Sequence, residues 1–152
     1  MVITCSDTRT PDNDTSGRLI MSLLKEHGHQ VVAYHLVKDE PVLIKERIGE
    51  ALRTEGIHAI IINGGTGISR RDSTFEAVDA MLEKRLDGFG EIFRALTYQE
   101  IGSPAIMTRA TAGIVHGLVL FSIPGSENAV RLAMEKLILP ELGHLIKELT
   151  KQ

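Results

Sequence analysis

Cysteine occurs once, at Cys5, which excludes an intrachain disulfide and a zinc site built on cysteines. Tryptophan is missing, and two Tyr and four Phe are too few platforms to stack successive bases of a single nucleic-acid strand. Positive charge is not in excess: 17 Lys+Arg stand against 20 Asp+Glu, a net of -3, which disfavours nucleic acid as a partner. The longest uninterrupted apolar runs, such as Ala59 to Ile62 and Leu118 to Phe121, are four residues, against the roughly 20 that a membrane helix needs. No membrane partner is expected. With no charged-then-apolar leader pattern at Met1, the expected location is cytoplasmic. The six histidines form no His-Glu-x-x-His pair and no Gly-x-Ser-x-Gly elbow occurs, so the starting residues of a zinc protease and of a serine hydrolase are lacking.

The 152 residues suit one domain, 1–152, with one core. Short β-rich runs alternate with segments of helical period, the pattern of βαβ units around a mostly parallel sheet. The expected fold is therefore Rossmann-like α/β with three layers. Strands are read at Val2 to Cys5, Gln30 to Leu36, Ala59 to Ile62, Ala105 to Thr108 and Leu118 to Ile123. Between them lie helices with apolar faces at Leu19, Ile20, Leu23 and Leu24, at Ile44, Ile48, Ala51 and Leu52, and from Phe89 to about Ile101. Arg109 to Gly113 is read as a loop, and a last helix as restarting after Pro140.

In such a sheet, ligands bind beyond the carboxyl ends of the strands, where successive connections diverge. Gly64-Gly65-Thr66-Gly67 follows a strand directly, and its backbone can approach a ligand and form a concave anion site. Arg70 stands where the dinucleotide fingerprint needs Gly or Ala, and no Gly-Lys-Ser/Thr completes a Walker loop. Ser73-x-x-Glu76 has the form of a capping box, which makes Ser73 a helix cap. Asp72 is not needed by that box; it either compensates a helix dipole or faces a divalent cation beside the phosphate cradle. Asp39, before Pro41, is equally readable as a helix start. Together Asp39 and Asp72 are the best metal pair, suited to Mg²⁺. Arg70 and Arg71 are consecutive beside this loop, so one is a candidate phosphate clamp while the other faces solvent, and Arg109 is a further candidate. Gly125-Ser126 opens a helix whose N–H groups suit an anion, with Ser126 also readable as only its N-cap. Cys5 reads as packed.

These residues carry a resemblance. Ser6-Asp7-Thr8-Arg9 with Asp14-Thr15-Ser16-Gly17, Asp39-Glu40-Pro41, Asn63-Gly64-Gly65-Thr66-Gly67 with Arg71-Asp72, Arg109-Ala110-x-Ala112-Gly113, and Ile123-Pro124-Gly125-Ser126 with Asn128-Ala129-Val130 occur in a specific order. In that order the chain resembles, from end to end, the MoaB/Mog family of molybdenum cofactor biosynthesis, and the MoaB branch more than the Mog branch. The resemblance implies the molybdopterin-binding fold of that family, assembled as a homotrimer or homohexamer. It implies adenylylation of molybdopterin: its terminal phosphate attacks the α-phosphate of Mg·ATP and pyrophosphate leaves. The alternative is a MoaB-branch protein that binds or carries molybdopterin without adenylyltransferase activity. By resemblance, Asp39 and Asp72 are the functional and metal-binding aspartates. Pterin-phosphate and nucleotide contacts fall on Gly64, Gly65, Thr66, Gly67, Pro124, Gly125 and Ser126, with Ser16 and Gly17 also at the site. The product would pass to the molybdenum-insertion protein of the same pathway.

Overall fold

The computed structural model describes residues 1–151 and is built on a six-stranded sheet of order β2-β1-β3-β6-β5-β4. β1 (Val2–Cys5), β2 (Tyr34–Val37), β3 (Ala59–Asn63) and β6 (Leu118–Ile123) are parallel, with Ile3 opposite Ile62 and Ile61 opposite Phe121. β5 (Thr111–Val115) and β4 (Lys84–Arg85) complete an antiparallel edge.

Because successive strand residues face opposite sides, β1, β3 and β6 each supply two cores. Val2, Ile61, Val119, Phe121 and Ile123 pack on one face against α1 (Thr15–Glu26), α4 (Asp87–Ile101), α5 (Glu127–Ala133) and α6 (Leu139–Leu149), through residues such as Ile20, Phe93, Val130 and Leu142. Ile3, Cys5, Ile60, Ile62 and Leu120 pack on the other against Ile44, Ile48 and Ala51 of α2 (Pro41–Arg53) and Val78 of α3 (Thr74–Asp79). Each fully buried Ile or Phe contributes about 1.5–3 kcal/mol over its exposed state, so these two layers hold the strand ends in place. Among the described residues, no helix is long and apolar enough to cross a membrane.

Three expectations need correction. Ala105 to Thr108 is not a strand: Ser103–Met107 is a 3₁₀ turn entered through Gly102 at φ 74°, and the strand is Thr111–Val115, inside the stretch read as a loop. β2 is shorter than Gln30 to Leu36, starting at Tyr34. The last helix does not restart at Pro140. Met134–Ile138 is π-helical and runs straight into α6, a widening that accommodates the missing proline N–H two residues on.

Candidate functional site

The loops after β1, β2, β3 and β6 converge at the carboxyl ends of the strands on a cleft of about 460 Å³. Its walls include Thr4 to Arg9, Asp39, Asn63 to Gly67, Arg71, Asp72, Met107, Thr108, Pro124 and Gly125. β1 sits between β2 and β3, so the chain leaves it in one direction first and the other direction next, opening a crevice at that point.

The glycine loop is shaped by close approach. At Gly64, φ 95°, a β-carbon would lie 2.2 Å from the Cys5 carbonyl oxygen, so only glycine lets β3 leave the sheet beside β1. At Gly65, φ 66°, it would lie 2.1 Å from Thr74 Oγ1 and 2.3 Å from Asp39 Oδ2. Asp72 lies against the third glycine, with Oδ2 2.6 Å from the β-carbon position of Gly67. The two carboxylates therefore flank one loop, two residues apart along it.

Each carboxylate is held by one oxygen. Asp39 is buried, and its Oδ1 accepts from Ser73 N at 3.1 Å, Ser73 Oγ at 2.8 Å and Thr74 Oγ1 at 3.2 Å. Asp72 Oδ2 accepts from Ser69 N at 3.0 Å and Ser69 Oγ at 2.5 Å. Asp39 Oδ2 and Asp72 Oδ1 accept no hydrogen bond among the described residues. Ser73 is thus not the side-chain cap that its spacing to Glu76 suggests. Its hydroxyl is spent on Asp39, and Glu76 is paired with Arg109.

The carbonyls of Gly65, Thr66 and Gly67 are all taken, and their amides are not. Gly65 O accepts from Thr74 N at 3.1 Å, Thr66 O from Arg109 Nε at 3.0 Å, and Gly67 O from Arg109 Nη2. The N–H groups of the same three residues make no hydrogen bond within the described residues. Amides left together in this way form an anion cradle.

Arg71 lines the cleft, but its guanidinium forms a bidentate pair with Asp7, Nε to Oδ2 at 2.9 Å and Nη2 to Oδ1 at 3.0 Å. That pairing holds the Asp7 carboxyl below its ordinary pKa and raises that of Arg71. Asp7 Oδ1 also accepts from Asp39 N at 3.2 Å, joining the β1 and β2 loops.

Pro124 and Gly125 line the cleft, whereas Ser126, Ser16, Gly17 and Arg109 do not. Ser126 is the N-cap of α5, accepting from Ala129 N at 3.3 Å. Ser16 is buried and donates to Gly125 O at 2.7 Å, from behind the cleft wall. Gly17 N donates to Asp14 Oδ1 at 3.0 Å in the cap of α1. Arg70 is exposed and outside the cleft.

Spacing singles out neither Arg9 nor Asp14 as a functional group, yet they lock two loops together. Arg9 donates to Asp14 Oδ1 at 3.1 Å and to Gly125 O at 3.0 Å. Burial pushes the Asp14 carboxyl up, but hydrogen bonds from Tyr34, Thr4, Gly17 and Arg9 outweigh it and hold the pKa below the ordinary value. Tyr34, desolvated and bonded to Asp14, is pushed up to about 12. Burial likewise pushes the Cys5 thiol up to about 12, so it stays protonated at neutral pH.

As a donor set, Asp39 Oδ2 and Asp72 Oδ1 are two hard oxygens with open valence and no imidazole or thiolate beside them. That suits Mg²⁺, which takes one or two carboxylates and completes its shell with phosphate and water. No group of three or more His, Cys, Asp or Glu residues among those described is arranged to hold a metal without such help.

Comparison with known proteins agrees with this architecture. The family described as "Probable molybdopterin binding domain" matches residues 1–144. The chain is 52% identical over 151 residues to molybdenum cofactor biosynthesis protein B of Bacillus subtilis, covering 99% of this chain and 89% of that protein. It is 53% identical over 152 residues to the protein of the same name from Halalkalibacterium halodurans, covering 99% and 89%. A crystal structure of molybdenum cofactor biosynthesis protein B superposes with TM-score 0.96 at 51% identity, covering 99% of this chain and 94% of that one. The tungsten cofactor synthesizing protein MoaB from Pyrococcus furiosus superposes with TM-score 0.87 at 39% identity, covering 99% and 95%.

Proposed function

The chain belongs to the molybdopterin-binding family of molybdenum cofactor biosynthesis, and from that premise we propose that it transfers AMP from ATP to the terminal phosphate of molybdopterin. The observation that carries the reading is the pairing of unbonded loop amides with two half-free carboxylates. The N–H groups of Gly65, Thr66 and Gly67 suit phosphate oxygens, while Asp39 Oδ2 and Asp72 Oδ1 suit a divalent cation.

The reaction makes one bond, from a terminal phosphate oxygen of molybdopterin to the α-phosphorus of ATP. It breaks one, from that phosphorus to the bridging oxygen toward the β-phosphate, and pyrophosphate leaves. The substrate brings its own nucleophile, so no serine, cysteine or histidine is required. What the protein must supply is position and charge compensation. Asp39 is suited to this by rigidity: three donors fix Oδ1, so Oδ2 holds its place against Gly65. Asp72 is fixed through Oδ2, which Ser69 bonds and which lies against Gly67, leaving Oδ1 free. Mg²⁺, when bound by these two carboxylates, neutralises triphosphate charge. Pro124 and Gly125 complete the wall beside Gly64, with Arg9 and Ser16 fixing the Gly125 carbonyl by hydrogen bonds.

The same reading includes a homotrimer or homohexamer in the cytoplasm, handing its product to the molybdenum-insertion protein. The exposed Ile92, Tyr98, Ile101 and Ile106, on α4 and the following turn, give such an assembly an apolar surface to cover.

The test is pyrophosphate release from Mg²⁺, ATP and molybdopterin. Wild type is expected to release it and Asp72→Asn to release none. A wild type that binds molybdopterin tightly and releases no pyrophosphate would replace this reading with that of a molybdopterin carrier.

A further inference from the structure

Arg109 reads from its place in the sequence as a ligand contact, but its guanidinium is committed to the protein. Nε donates to Thr66 O at 3.0 Å, Nη2 donates to Gly67 O, and Nη1 pairs with Glu76 Oε1. Its Cζ lies 5.0 Å from the ring centroid of Phe75, so α3 holds the planar group from two sides. The pairing keeps Glu76 charged by lowering its pKa.

Peptide planarity fixes which way the neighbouring amides face. The carbonyl of one residue and the N–H of the next lie in one plane and point in opposite directions. With Thr66 O drawn toward Arg109, the Gly67 N–H points away from it; with Gly67 O drawn the same way, so does the Ile68 N–H. Thr74 N, by taking Gly65 O, turns the Thr66 N–H similarly. Arg109 lies outside the cleft and Gly65 to Gly67 line it.

We propose that Arg109, seated by Glu76 and Phe75, is a positioning residue that holds the Thr66 and Gly67 carbonyls back and so presents the loop's amides to the phosphate groups of the substrate. Released carbonyls would be free to rotate into the cleft and set acceptor oxygens against an anion. Lysine does not replace this arginine, because one ammonium cannot span two carbonyls and a carboxylate in a fixed plane. The inference rests on the anion-binding part of the adenylyl-transfer reading and needs neither pterin nor AMP transfer.

The probe is inorganic pyrophosphate, measured by calorimetry on wild type, Arg109→Ala, Arg109→Lys and Glu76→Gln, with circular dichroism to check folding. Arg109→Ala is expected to weaken binding about tenfold or more, the scale of one lost charge-assisted contact set, and Arg109→Lys to fall in between. Glu76→Gln leaves the carbonyl contacts and is expected to weaken binding only about twofold to threefold. Amide ¹⁵N–¹H resonances give the readout that general destabilisation would not mimic. Pyrophosphate should shift Thr66, Gly67 and Ile68 in wild type; in folded Arg109→Ala the Gly67 and Ile68 shifts should be largely lost, and in Arg109→Lys reduced. Wild-type affinity and wild-type amide shifts in both Arg109 variants would overturn the proposal, as would a wild type that does not bind pyrophosphate. If the loop binds pyrophosphate through Arg109 but no AMP is transferred, the clamp stands and the adenylyl-transfer reading fails.

Discussion

Replacing Gly65 by Ala disturbs the site without removing any charge, so its effect can be worked from geometry. The residue sits at φ 66°, where a β-carbon costs about 1–2 kcal/mol. The added carbon would also stand 2.1 Å from Thr74 Oγ1 and 2.3 Å from Asp39 Oδ2, so both oxygens must move. Their movement breaks at least one of the bonds on Asp39 Oδ1, and a hydrogen bond to a charged group contributes about 1.5–3 kcal/mol. The two effects together come to roughly 2.5–5 kcal/mol. For a chain of this size a kilocalorie shifts Tm by about 2–4 °C, which gives a fall of roughly 5–20 °C. Gly28→Ala is the control: φ is 80° but nothing lies within 4 Å of the new carbon, so only the backbone share is lost. Its Tm should fall by roughly 2–8 °C with pyrophosphate release intact, whereas Gly65→Ala should lose release as well. Thermal denaturation by circular dichroism and a pyrophosphate assay check both. Equal Tm losses in the two variants, with full activity in Gly65→Ala, would refute the argument that Asp39 is held in place against this glycine.

Three further outcomes are expected. The Asp14 carboxyl has a depressed folded pKa, so its contribution to stability is present above the ordinary carboxylate value of 3.8 and is lost as pH falls through the lower folded value. Asp14→Asn should remove that part of the acid dependence of Tm, and an unchanged profile below pH 4 would contradict it. Asp7→Asn releases Arg71 toward the cleft, while the oxygen of the new side-chain amide still accepts from Asp39 N; pyrophosphate affinity should rise about twofold to fivefold, most at low salt, and a weaker affinity would show that the pair serves binding. Cys5, with its thiol pushed up to about 12, carries little thiolate, so iodoacetamide at pH 8 should label it about a thousandfold more slowly folded than unfolded. Rapid labelling of folded protein would mean that β1 opens readily.

What can be read in the sequence depends on how locally each feature is determined. β1, β3 and β6 are buried on both faces, and their predominantly apolar runs mark them without knowledge of the rest. β5 escapes because Thr111, Ala112 and Gly113 look like a loop. Gly113 is a glycine because the neighbouring edge passes close by: a β-carbon there would stand 2.3 Å from Lys84 O and 2.9 Å from Leu82 Cδ1. The apolar Ala105 to Met107 has the composition of a strand but follows Gly102, whose positive φ starts a 3₁₀ turn instead.

The same distinction holds within the cleft. Asp39, Asp72 and the Gly64 to Gly67 loop announce themselves, since each lies just beyond the end of a strand or in the loop that follows. Arg9 is invisible to spacing, because its partner Gly125 is 116 residues away. Motifs place Ser16 and Arg109 near the site, but their direction is not legible: both bond to backbone carbonyls from behind the wall. Ser73 has the spacing of a helix cap, yet a buried carboxylate from another loop competes for its hydroxyl and wins.

The central claim is that Asp39 and Asp72, flanking the glycine loop, support transfer of AMP to a pterin phosphate. The most direct measurement is a single turnover with ATP labelled at the α-phosphate, Mg²⁺ and stoichiometric molybdopterin, with the pterin product isolated and counted. The account predicts one AMP per pterin with wild type and none above background with Asp39→Asn or Asp72→Asn. Unlabelled pterin from the wild type, or full labelling by either variant, would contradict it.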